Sequence, residues 1–114
     1  MTSHRVGLIV PSSNTTMETE IPAILRAHER VRPDTFTFHS ARIRMRQVTQ
    51  EELTAMDQNA GVAAAALADA RVDVMAYACL VATMSQGLGH HRASEERLGA
   101  IAAEETGARV PVVA

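Results

Sequence analysis

The run Val6-Gly7-Leu8-Ile9-Val10, closed at once by Pro11-Ser12-Ser13-Asn14, limits what this chain can fold into more than any other feature. An apolar run without polar alternation suits a strand covered on both faces, and such strands belong to parallel sheets flanked by helices. The turn formers behind it end the strand and open a loop. Residues 15 to about 28 follow as a helix, with Ile21, Ile24, Leu25 and His28 at helical spacing. Glu18 and Glu20 lie toward its N-terminal end, which favours negative charge. Pro22 requires the regular turns to begin near Glu20, or the helix to bend there. A loop over residues 30–34 holds Pro33, and Thr35-Phe36-Thr37-Phe38 alternates as a second strand.

Thr49-Gln50-Glu51-Glu52 has the spacing of a capping box, in which Thr49 caps a helix and Glu52 reaches back from its third position. Behind it Leu53, Met56, Ala60, Ala63, Ala64 and Leu67 form one apolar stripe down to about Ala70. Residues 72–78 read as a third strand, with Cys79 at its C-terminal end. Residues 94–106 read as a third helix, with Leu98 and Ile101 inward and Gly107 as its C-cap. Val110-Pro111-Val112-Val113 begins a fourth strand. This alternation predicts an α/β fold, a three-layer αβα sandwich on a parallel, four-stranded, flavodoxin-like sheet. The 114 residues suit a single α/β domain, 1–114, expected to be truncated in or just after its fourth strand, because nothing follows to cover that strand.

Composition narrows the function classes. Thirteen acidic and eleven basic residues give a net charge of −2, with no basic run, which argues against nucleic-acid binding. No apolar run approaches the roughly 20 residues of a membrane helix, and the start of the chain shows no signal peptide. All eleven basic residues are arginine, so a lysine Schiff base is excluded. The single cysteine, Cys79, cannot form an internal disulfide, which fits a reducing cytoplasm.

Ligands of open α/β sheets bind beyond the carboxyl ends of the strands. Two segments therefore hold the chemistry, residues 11–16 and residues 79–89. Ser12, Ser13, Asn14, Thr15 and Thr16 offer hydroxyls, an amide and helix-start N–H groups to an anion; the same residue types also serve as plain helix caps. Cys79, at a strand end facing a helix start, suits a thiolate nucleophile; a buried cysteine acting as a small hydrophobe is the alternative. His90 and His91 are adjacent and point apart, with no ligand at metal spacing nearby, so no metal site is expected. Gly87 and Gly89 do not make a dinucleotide fingerprint. Arg42, Arg44 and Arg46 share one face of an extended segment, which suits a solvated or interface face and, less readily, anion guidance.

These residues carry a recognisable pattern. Gly7-Leu8-Ile9-Val10-Pro11-Ser12-Ser13-Asn14-Thr15-Thr16-Met17-Glu18 resembles the opening of the bacterial maleate cis-trans isomerases. So do residues 36–40 with 42–46, and Val48-Thr49. Asp73-Val74-Met75-Ala76-Tyr77-Ala78-Cys79-Leu80-Val81-Ala82 resembles the segment bearing that family's first catalytic cysteine, and the likeness continues through Gly89, His91 and Ser94-Glu95. The full opening separates the chain from the wider aspartate/glutamate racemase superfamily, which shares the fold and a cysteine here.

The resemblance implies that Cys79 is the nucleophile and that Asn14 contacts a substrate carboxylate and supports the thiolate. Leu80 and Val81 match positions whose backbone N–H groups bind a carboxylate, and Ser13 belongs to the same substrate-binding set. It implies cofactor-independent isomerisation of maleate to fumarate through a thiolate adduct, in a cytoplasmic, homo-oligomeric enzyme. It further implies one half of a two-domain pseudo-symmetric fold, with a second cysteine as acid/base partner in a later half that this chain does not include. Two other readings stay open. One keeps the fold and changes the reaction, to that of an aspartate/glutamate racemase or an arylmalonate decarboxylase. The other is a non-catalytic α/β binding module in which Cys79 is structural.

Overall fold

Strand β1 (Thr2–Pro11) runs up the middle of a parallel sheet, and its last six residues are buried. The computed structural model describes residues 2–78 and 87–114. After β1 come α1 (Thr16–Glu29), β2 (Asp34–Ile43), α2 (Gln50–Asp69), β3 (Val74–Tyr77), α3 (His90–Thr106) and β4 (Val112–Val113). The strand order is β2-β1-β3-β4, with every pairing parallel, as the alternation of elements requires. Val6 pairs with Phe38 on one side and Val74 on the other.

The alternation along β1 divides its side chains between two cores. Val6, Leu8 and Val10 face α1, where Met17, Ile21 and Leu25 meet them with Phe36 and Phe38. Ile9, Met75 and Tyr77 face the opposite layer, built by α2 and α3 around Met56, Leu67, Leu98 and Ala102. Met56, Met75 and Leu98 are fully buried, and side chains of that size each contribute about 1.5–3 kcal/mol when fully buried. Gly7 lets α2 come close to β1: a Cβ there would lie 3.2 Å from both Leu67 and Val72.

Several elements differ from their sequence outline. α1 runs through Pro22 from Thr16, so its turns do not wait for Glu20, and it buries no residue fully. Ile24 is 65% exposed, because Ile21 and Leu25 already occupy the inward row. β2 spans ten residues, taking Asp34 from the expected loop and reaching Ile43. α3 begins at His90, four residues before the expected start at Ser94, with Gly89 at φ 80° as N-cap. Its first turn, His90-His91-Arg92, is polar, so hydrophobic spacing carries no trace of it. Inside α3, Leu98 is fully buried and Ile101 only half so, and Gly107 caps the end at φ 75° as expected. β3 and β4 are shorter than expected, four and two residues. Among the described residues no helix is long and apolar enough to cross a membrane.

Candidate functional site

From β1 the chain crosses to β2 on one side, and from β2 it returns past β1 to β3 on the other. The sheet order therefore reverses between β1 and β3, and ligands of open α/β sheets bind at such a switch point, beyond the carboxyl ends of the strands. The loop after β1 carries Ser12, Ser13, Asn14 and Thr15. Pairing of the two strands persists to the rim, where Ala78 N–H donates to Ile9 O at 2.8 Å. The chain that enters Cys79 thus leaves the sheet beside the strand that delivers Asn14. Cys79, Leu80 and Val81 lie outside the described residues.

Arg42 holds the loop after β1 in shape. Its Nη1 donates to the carbonyls of Pro11 (3.2 Å), Ser12 (3.0 Å) and Asn14 (2.9 Å), while Nη2 pairs with Glu18 in the first turn of α1. A planar guanidinium can serve several carbonyls and a carboxylate at once, which an ammonium cannot match. The alternation of residues 42–46 is realised, with Ile43 and Met45 buried and the three arginines outward, but Arg42 is occupied by this loop rather than free on a solvated face.

Both serines are tied to Met45. Ser12 Oγ accepts from Met45 N at 2.9 Å, and Ser13 Oγ donates to Met45 O at 2.9 Å. Asn14 Oδ1 accepts from Thr16 N at 2.8 Å and Met17 N at 3.4 Å, capping α1. Thr15, formally the N-cap residue, makes no side-chain cap bond. The capping role is therefore real, and it falls to the oxygen of Asn14; the amide nitrogen, on the other side of the carboxamide, is turned away from those two donors.

A buried polar cluster stands behind β3, and sequence reasoning missed it. Asp57, on the inward face of α2, is only 9% exposed. Its Oδ1 accepts from Tyr77 Oη at 3.2 Å, and its Oδ2 lies 3.1 Å from His90 Nε2. Arg97 donates to the Asp57 carbonyl at 3.0 Å and sits 3.7 Å from Oδ2. The signal was present in the sequence: Asp57 interrupts the inward stripe between Met56 and Ala60, and an acid there needs partners. At the opposite end of the sheet, Asp34 lies between His4 (3.3 Å) and His28 (3.5 Å). The hydrogen bond from His4 lowers its pKa below the ordinary aspartate value, with burial opposing and His28 assisting. Among the described residues no cluster of histidine, cysteine and carboxylate could hold a metal ion.

No protein-family model matches the chain. A maleate isomerase from Pseudomonas putida is 58% identical over 110 residues, which is 96% of this chain and 44% of that protein. The structure of a maleate isomerase variant from Pseudomonas putida S16 with maleate superposes with a TM-score of 0.93 at 58% identity, covering 97% of this chain and 44% of that one. A Nocardia farcinica maleate cis-trans isomerase mutant with a covalently bound succinylcysteine intermediate gives a TM-score of 0.87 at 41% identity, over 96% of this chain and 43% of that one. The chain thus spans rather less than half the length of the relatives it matches. Over nearly its whole length, the chain is thus similar in both sequence and fold to one portion of the maleate isomerases.

Proposed function

We propose that this chain supplies the nucleophilic half of a site that isomerises maleate to fumarate, with the Cys79 thiolate as nucleophile. The observation that carries the reading is the rim of the sheet, where the Asn14 loop and the chain entering Cys79 leave adjacent strands at the switch point. A C=C bond does not rotate at ambient temperature, so the reaction must make it single. The sulfur of Cys79 adds to one alkene carbon, and the π pair moves onto the other carbon and its carboxylate. Protonation of that carbon gives a succinylcysteine, which turns about its central single bond. Removal of the proton and departure of the sulfur then release fumarate. Atoms and electrons balance without a cofactor.

Charge builds on a carboxylate during addition, so donors aimed there lower the barrier. We assign that work to Asn14 Nδ2 and to the backbone N–H groups of Leu80 and Val81, with Ser13 in the same substrate-binding loop. The proton passes through the second cysteine that the family resemblance puts in a later half, so the active unit is the whole protein. A homo-oligomer in the cytoplasm belongs to the same reading, and an unpaired thiol suits that compartment. Intact mass spectrometry of this chain held with maleate tests the first step. An added mass of one maleic acid on the wild type, and none on Cys79→Ala, is expected. An equal adduct on the variant removes Cys79 from the mechanism.

A further inference from the structure

We infer that Asp57 is a positioning residue for Cys79, fastening both ends of the segment that carries it. The inference rests on the assignment of Cys79 as nucleophile. Tyr77 is two residues before Cys79, and its hydroxyl donates to Asp57 Oδ1 at 3.2 Å. His90, the first residue of α3, follows that segment in the chain, and it meets Asp57 Oδ2 at 3.1 Å. One carboxylate on α2 therefore ties the strand that leads into the cysteine to the helix that leads out of it. Arg97, two turns along α3, reinforces the tie by donating to the Asp57 carbonyl at 3.0 Å with its charge 3.7 Å from Oδ2.

The chemistry of the cluster requires an acceptor on both sides. A carboxylate accepts at each oxygen, and a buried acid without partners is costly. An asparagine offers one acceptor and turns an NH2 group toward the other arm, while Arg97 loses its counter-charge. Asp57→Asn therefore keeps the volume and releases one end of the segment. A displacement of about 1 Å at a reacting group can cost about a hundredfold in rate, so the effect is readable at the thiol.

The composition makes each arm separately visible. The chain has one cysteine, one tyrosine and no tryptophan, so alkylation reports Cys79 and intrinsic emission reports Tyr77. Iodoacetamide alkylation of the folded chain and its tyrosine emission are compared among wild type, Asp57→Asn, His90→Ala and Val6→Ala. Val6→Ala weakens the core on the other face of the sheet and controls for lost stability. Asp57→Asn is expected to slow alkylation about tenfold and to change the emission of Tyr77. His90→Ala, which cuts only the α3 arm at a part-exposed position, slows alkylation in the same direction. Val6→Ala leaves both readouts within about twofold of wild type. Alkylation of Asp57→Asn or His90→Ala that is unchanged or faster overturns the inference, as does equal slowing by Val6→Ala. Failure of the nucleophile assignment is seen separately, as a wild-type thiol no more reactive than free cysteine.

Discussion

Asn14 shows why a single side chain can carry two roles that one substitution would confuse. Its oxygen caps α1, and its nitrogen is the group proposed for the substrate. Asn14→Ala removes both and reads neither. Asn14→Asp keeps an oxygen at the helix start, where a negative charge is favourable by about 0.3–1 kcal/mol, but removes the amide donor and brings an anion toward a dianionic substrate. The variant is expected to melt at or above the wild-type temperature while kcat/KM for maleate in the whole enzyme falls about a hundredfold, the usual cost of one lost donor. Full activity in Asn14→Asp would leave the residue as a cap alone. Arg42 belongs to the same scale: three carbonyls and Glu18 converge on it, so it shapes the loop that presents Asn14.

At the scale of elements, helix starts show what a sequence can and cannot display. α2 is capped as its spacing predicts, with Thr49 Oγ1 accepting from Glu52 N at 3.2 Å. The Glu52 carboxylate reaches further back than the capping box implies, accepting from Arg46 N at 3.2 Å and Gln47 N at 2.6 Å. α1 is capped by Asn14, one residue ahead of its formal N-cap. Thr49→Ala is therefore expected to cost about 1 kcal/mol in urea unfolding, and Thr15→Ala under about 0.5 kcal/mol, since Thr15 has no cap bond to lose. Equal losses would contradict this account of the two starts. The apolar stripe of α2 and the buried run of β1 were legible because burial imposes a period on them. The start of α3 was not, because His90-His91-Arg92 contributes no apolar period and is set instead by Gly87 and Gly89 at positive φ. The Asp57 cluster joins residues 20 and 33 positions apart, and no local pattern records such a pairing. Arg42 was visible as one of three alternating cations, but the carbonyls it serves lie about thirty residues earlier, a separation that only the β1–β2 register closes.

For the molecule as a whole, the order β2-β1-β3-β4 decides where the proposed site lies. It puts the Asn14 loop and the exit of β3 side by side at the carboxyl end of the sheet. The Asp34 pair of ion contacts lies at the amino end, away from the proposed site. The α2–α3 layer behind β3 supplies the Asp57 anchor. In the proposed reaction a thiolate delivered at this rim turns a double bond into a single one. Proton NMR of maleate incubated with the whole protein that contains this chain tests it most directly, with Cys79→Ala beside the wild type. The fumarate vinyl signal is expected to grow with the wild type and to be absent with the variant. Fumarate appearing from Cys79→Ala at the wild-type rate would contradict it.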